Sequence, residues 1–214
     1  VFMMEQEITG IKVQKRNPDR VSIYLDGEYA FGLSRIVAAW LSIGQHLSEE
    51  KIEGLRAKDG NEVAYQRALR LISHRPRTRK EIEQKLVEKG FDSTQAQAVI
   101  ARLAEAGLVE DREFARMWVE NRNQSHPRSQ CLMKLELMQK GVSVEEIESA
   151  LGDSADDADL ATQAAMQQLR KYSGLEWSEF RKKLSAFLMR RGFSYGTIAP
   201  VVQSVWESVQ KDQS

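Results

Sequence analysis

One cysteine, Cys131, in 214 residues leaves no partner for an internal disulfide and no set of thiolates for a zinc site. With 4 prolines and 13 glycines alongside it, this usage fits a reducing cytoplasm. No stretch comes near the roughly 20 consecutive apolar residues that a membrane-spanning helix needs. The start, Val1-Phe2-Met3-Met4-Glu5-Gln6-Glu7, is acidic and has no apolar core of signal-peptide length. A soluble, cytoplasmic protein with no membrane association is therefore expected. Histidine is scarce as well: none of His46, His74 and His126 has a partner at metal-ligand spacing. Glycine-rich phosphate loops and Gly-x-Ser-x-Gly elbows are missing, so the chain reads as non-enzymatic, with no catalytic residue, no metal and no cofactor. Aromatic residues make up 7% of the chain, too scattered to form an interleaved aromatic and basic platform for stacking bases.

Charge of one sign is also lacking, since 31 Lys and Arg cancel 31 Asp and Glu. That balance excludes a uniformly basic coat protein and an acidic disordered tail. Divided along the chain, however, the charges separate. Residues 62–91 hold 8 basic and 4 acidic groups, and residues 166–192 hold 7 and 2. Residues 141–165 hold 7 acidic groups and no basic one. Neutrality is an average over unlike surfaces.

What the chain does have is pattern. Ile8, Ile11 and Val13 come first, then Val21, Ile23 and Leu25 alternate with Ser22 and Tyr24 in the manner of a strand, and Tyr29, Phe31 and Leu33 follow. Turn signals at Asn17-Pro18-Asp19 and Asp26-Gly27 divide them, predicting a three-stranded meander over 6–33. Helices over 34–43 and 48–58 are expected to cover it, because so small a sheet needs a packed face. From residue 62 the spacing is helical and repeats. Lys89-Gly90-Phe91, Lys140-Gly141-Val142 and Arg191-Gly192-Phe193 lie 51 residues apart. The same offset aligns Ile82, Met133 and Leu184, Leu86, Leu137 and Leu188, Ala96, Ile147 and Ile198, and Ile100, Leu151 and Val202. Pro76-Arg77-Thr78 falls on Pro127-Arg128-Ser129.

Each unit reads as three short helices. In the first, a helix over 63–73 stops before Pro76, a Thr78–Glu81 capping box opens the second, and Gly90 ends it. The third helix spans about 93–106. The expected fold is mainly α: three tandem three-helix repeats in an elongated array, preceded by a small β-meander plus helices. The segments are 1–61 for the N-terminal part, then 62–109, 110–155 and 156–214 for the repeats. The last repeat has a longer connection over 172–176, and Pro200 inside its final helix predicts a kink or a later start.

The basic residues carry the functional signal. Arg67, Arg70, Arg75, Arg77, Arg79 and Lys80 crowd one helix end, a turn and the next helix start. Cations at a helix start oppose the helix dipole, so local stability does not explain Arg79 and Lys80. Arg181, Lys182, Lys183, Arg190 and Arg191 form a second cluster, and Arg122 and Arg128 lie between the two. Phosphate or an acidic protein groove would satisfy such groups, while a solvated helix face is the plainer alternative. Lys89, Lys140 and Arg191, each before a glycine, suit helix C-termini. Asp156-Asp157 reads as a solvated linker, Cys131 as a helix-face residue, and Phe91, Trp118, Phe187, Phe193 and Trp206 as core. The acidic block from Glu145 to Asp159 would repel a phosphate backbone and suits a mixed-charge protein partner better.

The run Ala68-Leu69-Arg70-Leu71-Ile72-Ser73-His74-Arg75-Pro76-Arg77-Thr78-Arg79-Lys80-Glu81-Ile82, with Leu86 through Phe91, resembles the RecX regulatory proteins, bacterial modulators of the RecA recombinase. Gly107-Leu108-Val109-Glu110-Asp111, Phe114-Ala115 and Arg190-Arg191-Gly192-Phe193-Ser194-Tyr195 extend the resemblance over about residues 62–209. The β-containing start is similar to an extension found in some members. The resemblance implies a monomeric cytoplasmic protein that lies in the groove of the RecA–single-stranded-DNA filament. It implies inhibition of ATP hydrolysis, strand exchange and co-protease activity, with weaker binding to double-stranded DNA, in homologous recombination, DNA repair and the SOS response. Unit two matches less well in this role, with Gln130 and Cys131 opposite Arg79 and Lys80. The alternative is a direct DNA-binding regulator with helix-turn-helix-like units, whose third helix over 93–106 offers Arg102 alone as a cation.

Overall fold

In a computed structural model that describes residues 5–172 and 174–212, strands β1 (Gln6–Gln14), β2 (Asn17–Leu25) and β3 (Glu28–Ser34) form the expected antiparallel meander. A two-residue strand, β4 (His46–Leu47), pairs with the outer side of β1, giving the order β3-β2-β1-β4. Ile8, Val21, Ile23, Leu25, Phe31 and Leu33 are all buried on one face, as alternation requires. Asp26 and Gly27 both have positive φ, 49° and 90°, as a tight β2–β3 hairpin turn demands. The β1–β2 turn, in contrast, is Lys15-Arg16, and Asn17-Pro18-Asp19 opens β2 instead of forming the turn. Pro18 fits there because the register shifts between Val13 and Gln14, so the missing N–H falls in an irregularity of the ladder.

The helices of the N-terminal segment also differ from expectation. Only α1 (Arg35–Ala38) forms within 34–43, and the helices expected over 48–58 and 63–73 are one, α2 (Glu49–His74). Asp59-Gly60-Asn61 lies between the two expected helices, and tertiary contacts hold it within α2. The buried Asp59 carboxylate accepts from Arg20 Nη2 at 2.7 Å and from the Ser34 backbone N–H at 2.6 Å. Ile52 and Leu55 of the same helix pack under the sheet.

Two compact units emerge, one of residues through Pro76 with Ile82–Leu108, the other of Arg77–Glu81 with Val109 onward. In the first, the end of α2 packs against α4 (Ser93–Glu105), and α3 (Arg79–Val87) buries Ile82 and Leu86. The second holds α5 (Asp111–Ser125), α6 (Gln130–Gln139), α7 (Val144–Gly152), α8 (Asp157–Tyr172), α9 (Trp177–Arg190) and α10 (Tyr195–Asp212).

Burial follows the 51-residue offset. Ile82, Met133, Leu184, Leu86, Leu137, Leu188, Ala96, Ile147 and Ile198 are each fully buried. Phe193 joins the core of the second unit, with Trp118, Phe187 and Trp206 partly buried against it. Capping explains where the helices start: Thr78 with Glu81, Asp92 with Gln95 and Ser143 with Glu146 exchange capping-box bonds. Helix α10 begins at Tyr195 and runs through Pro200, so no later start occurs. Ser173, in the connection expected over 172–176, lies outside the described residues, as do Val1–Met4 of the acidic start.

Candidate nucleic-acid and partner interface

Several of the cations singled out in the sequence hold one helical repeat to the next. Within the second unit, Thr78 is fully buried and its hydroxyl donates to the Lys140 carbonyl at 2.7 Å, while accepting from the Glu81 N–H. Lys80 Nζ donates to the Gln139 carbonyl at 3.3 Å, and the Lys140 ammonium lies 2.8 Å from Glu81 Oε1. The stem of Lys80 runs so close over Gly141 that a Cβ there would stand 2.6 Å from Lys80 Cβ. The arrangement recurs one repeat later. Ser129, also fully buried, donates its N–H to the Arg191 carbonyl at 3.0 Å, and a Cβ on Gly192 would meet Ser129 Oγ at 2.6 Å.

A second contact repeats with the first. The Arg79 N–H at the start of α3 donates to Asp111 Oδ1 at 2.9 Å, and the Gln130 N–H at the start of α6 donates to Asp157 Oδ1 at 2.8 Å. In both α3 and α6 an end donor of the middle helix is thus satisfied by a carboxylate from the first helix of the following repeat. Asp157 therefore caps a helix, in contrast to the solvated linker role expected for Asp156-Asp157. Burial pushes the Asp111 carboxyl above its ordinary value, against the lowering effect of the Arg79 N–H.

The remaining cations face outward. Arg67, Arg70, Arg181, Lys182 and Arg190 are exposed, and their side chains have no partner among the described residues, while the exposed Arg79 side chain interacts electrostatically with Asp111. Arg75 is exposed and donates to the Pro76 carbonyl, and Arg77 is half-buried and partnered. Lys183 lies 3.8 Å from Glu179 in an exposed helical pair. In the first unit, Arg67 and Arg70 border a cleft of about 490 Å³ that also receives Arg20, Arg35 and the side chain of Ser34. Arg35 is exposed and unpartnered too, and the Ser34 hydroxyl is buried without a hydrogen bond. Its position at the edge of the sheet, 32 residues before Arg67, hid Arg35 from sequence reading.

In the second unit, a groove of about 500 Å³ along α9 is lined by Trp177, Arg181, Lys182, Met189 and Tyr195, with Ser178 and Ser185 between. Tyr195 is 69% exposed. An aromatic and basic surface thus exists where the sequence showed none, because Trp177 and Arg181 are one helical turn apart and Tyr195 arrives from α10. The i,i+4 spacing of Trp177 and Arg181 was the available signal.

Arg122 and Arg128 converge on Glu136, and Arg191 stands near both of them. Arg122 Nε lies 3.3 Å from Glu136 Oε2, Arg128 is ion-paired with Oε1, and the Trp118 indole N–H donates to Oε2 at 3.0 Å. The Arg122 guanidinium also covers the Trp118 ring at 4.3 Å, and Arg191 covers Phe187 at 5.0 Å. Burial, reinforced by Arg122 beside both Arg128 and Arg191, holds these guanidinium groups below their ordinary range.

Elsewhere the arrangement offers little to chemistry. No group of three or more His, Cys, Asp or Glu side chains is placed to hold a metal among the described residues. Cys131 is exposed on α6. Arg102, the one cation of α4, is committed: it lies 2.8 Å from Glu62 and covers Tyr65 at 3.6 Å. No described helix is long and apolar enough to cross a membrane.

Known proteins share this organisation. Residues 6–48 match the family model for the regulatory protein RecX N-terminal domain. Residues 64–103, 111–151 and 155–202 match those for the first, second and third three-helix domains of RecX. A regulatory protein RecX of Bacillus pumilus is 30% identical over 96% of this chain and 80% of its own length. Another, of Clostridium botulinum, is 30% identical over 92% of this chain and 95% of its own. A crystal structure of regulatory protein RecX superposes with a TM-score of 0.71 at 28% identity, covering 90% of this chain and 96% of that one. RecX from Lactobacillus salivarius gives 0.58 at 26% identity, over 69% and 97%. With a β-containing start and three successive three-helix domains each matched in order, the chain belongs to the RecX family of regulatory proteins.

Proposed function

We propose that the chain is a non-enzymatic, monomeric cytoplasmic regulator that binds the RecA–single-stranded-DNA filament. Bound there, it restrains ATP hydrolysis, strand exchange and co-protease activity, and so acts in homologous recombination, DNA repair and the SOS response. It contacts single-stranded DNA within the filament and double-stranded DNA weakly.

The observation that carries this reading is the distribution of uncommitted cations. Arg67 and Arg70 in the first unit, and Arg181, Lys182 and Arg190 in the second, are exposed and unpartnered among the described residues, in a chain whose net charge is zero. Unpaired cations on several separate elements suit a partner that presents phosphates at intervals. The overall neutrality, and the acidic run from Glu145 to Asp159, suit a surface that mixes protein with DNA. Lys80, Arg122, Arg128 and Arg191 carry structural bonds as well, so they are poorer probes of this contact.

The test adds protein to a preformed RecA filament on single-stranded DNA and follows ATP hydrolysis. Wild type should slow hydrolysis. Arg67→Glu/Arg70→Glu and Arg181→Glu/Lys182→Glu should each need at least about tenfold more protein for half-inhibition, as loss of two charge contacts implies. Both should keep wild-type helical circular dichroism. Unchanged inhibition by both folded variants would refute the assignment of these cations, and no inhibition by wild type would refute the function.

A further inference from the structure

Glu136 is asked to neutralise more charge than it carries. Three guanidiniums lie together, Arg122 from α5 and Arg128 from the α5–α6 connection both paired with Glu136, and Arg191 from the end of α9 beside the two of them. No other carboxylate is bonded to them among the described residues, which leaves two positive charges uncompensated. Glu136 is moreover close to saturated, since both its oxygens are occupied and Oε2 also takes the Trp118 indole. Two donors are left over: Arg128 Nε and Arg191 Nη1 are inaccessible to solvent and have no hydrogen-bond partner. Buried donors on charged groups are costly when unsatisfied. Such a cluster persists when an anion completes it. The planar forks of arginine fit the oxygens of a phosphate bidentately.

We infer that Arg122, Arg128 and Arg191 form a seat for one phosphodiester group of a nucleic-acid strand, with Glu136 orienting Arg122 and Arg128 between uses and Phe187 orienting Arg191. The cluster is reachable through its exposed atoms, because the Arg122 and Arg128 side chains retain 21% and 30% of their surface, and the buried Arg128 Nε and Arg191 Nη1 are met only when these side chains shift. It differs from the exposed cations described above in being preorganised: Trp118 and Phe187 fix two of the guanidinium planes, and the Arg191 backbone is held by Ser129. The first repeat lacks an equivalent, since Arg191 corresponds to Lys140 and then Lys89 at the 51-residue offset, and Lys140 is paired with Glu81. This inference rests on the reading that the chain meets DNA, but it is tested on the protein alone.

The experiment titrates inorganic phosphate into the full chain at constant ionic strength, balanced with chloride, and follows the Arg Nε–H resonances by NMR together with tryptophan fluorescence. Arg122 stacks on Trp118, so occupancy should change its emission. Saturable shifts of the Arg122, Arg128 and Arg191 Nε–H signals are expected, with oligo-dT displacing phosphate. Arg128→Gln/Arg191→Gln should abolish the response, and Arg116→Gln, at an exposed residue paired with Glu113, should keep it. In oligo-dT binding, loss of one phosphate contact should also lower the slope of log K against log salt by about 0.7. A wild type whose Nε–H signals move linearly, no more than those of Arg181, would overturn the site, as would an undiminished response in the Gln pair. If the Gln pair does not fold, the wild-type saturation and the oligo-dT competition still decide. Inhibition of filament ATP hydrolysis by wild type is scored separately: a missing phosphate seat with intact inhibition removes this site and leaves the proposed function standing.

Discussion

Replacing Gly192 with alanine would put a methyl group 2.6 Å from the Ser129 hydroxyl and 2.7 Å from Leu132 Cβ, at a residue whose φ is +87°. Two costs then combine. A side chain in the left-handed region costs about 1–2 kcal/mol. Overpacking against atoms fixed to neighbouring backbone adds about 1–3 kcal/mol, because Leu132 Cβ cannot swing away. Gly174 separates the two. It lies in the same unit, its φ is +80°, and nothing stands within 4 Å of a Cβ built on it. Gly174→Ala should therefore show the backbone cost alone, and Gly192→Ala both costs, about 2–5 kcal/mol in all. Urea unfolding followed by circular dichroism measures the difference. With an m-value of about 2 kcal/mol/M, the Gly192 variant should have a midpoint about 0.5–1.5 M below that of the Gly174 variant. Gly141→Ala should resemble Gly192→Ala, since its Cβ would meet Lys80 Cβ at 2.6 Å. Equal midpoints for the Gly174 and Gly192 variants would refute the claim that the second glycine is required by close approach between repeats.

Asp59→Ala should destabilise the first unit by about 1.5–3 kcal/mol, the range for losing hydrogen bonds to a charged group, and should raise hydrogen exchange around residues 56–62; unchanged exchange there would show that α2 is continuous without the Arg20 and Ser34 contacts. Asp111 gives a pH test. Its carboxyl titrates higher in the folded chain than in the unfolded one, so the native state holds more protons, and stability falls as pH rises from the unfolded value near 3.8 through the folded one. Asp111→Asn keeps an acceptor for the Arg79 N–H and removes that titration. Across pH 4–7 the wild-type urea midpoint should drop relative to the Asn variant, and parallel curves would refute the burial effect.

The parts that sequence made legible are those whose chemistry is local. A glycine after Lys89, Lys140 or Arg191 ends a helix whatever lies nearby, and Thr78 with Glu81 caps one within four residues. Burial at the 51-residue offset was readable because three aligned copies average out noise. The joint between repeats was not, because Thr78 meets Lys140 across 62 residues and Arg79 meets Asp111 across 32. Neither pairing has a local signature. Lys80 illustrates the consequence: its charge is unfavourable at the start of its own helix, and the explanation lies at the end of another, where its ammonium reaches the Gln139 carbonyl. The continuity of α2 across Asp59-Gly60-Asn61 was not legible either, since Asp59 is held by Arg20 from the sheet. Of the candidate interface, the cations were visible and their division into committed and uncommitted groups was not, since that division depends on distant partners such as Glu136 for Arg128.

The carboxylate caps give the chain a direction in time. During synthesis, α3 emerges with its first N–H unsatisfied until Asp111 follows 32 residues later, and α6 waits 27 residues for Asp157. Both α3 and α6 are thus completed by chain made after them, and a ribosome halted between Arg79 and Asp111 would hold an open helix end. Glu176, the residue before α9, makes no side-chain cap bond of its own to that helix. A fourth repeat appended after the third would therefore need to begin with an aspartate placed like Asp111 and Asp157, and one lacking it would add length to the chain without adding a closed joint.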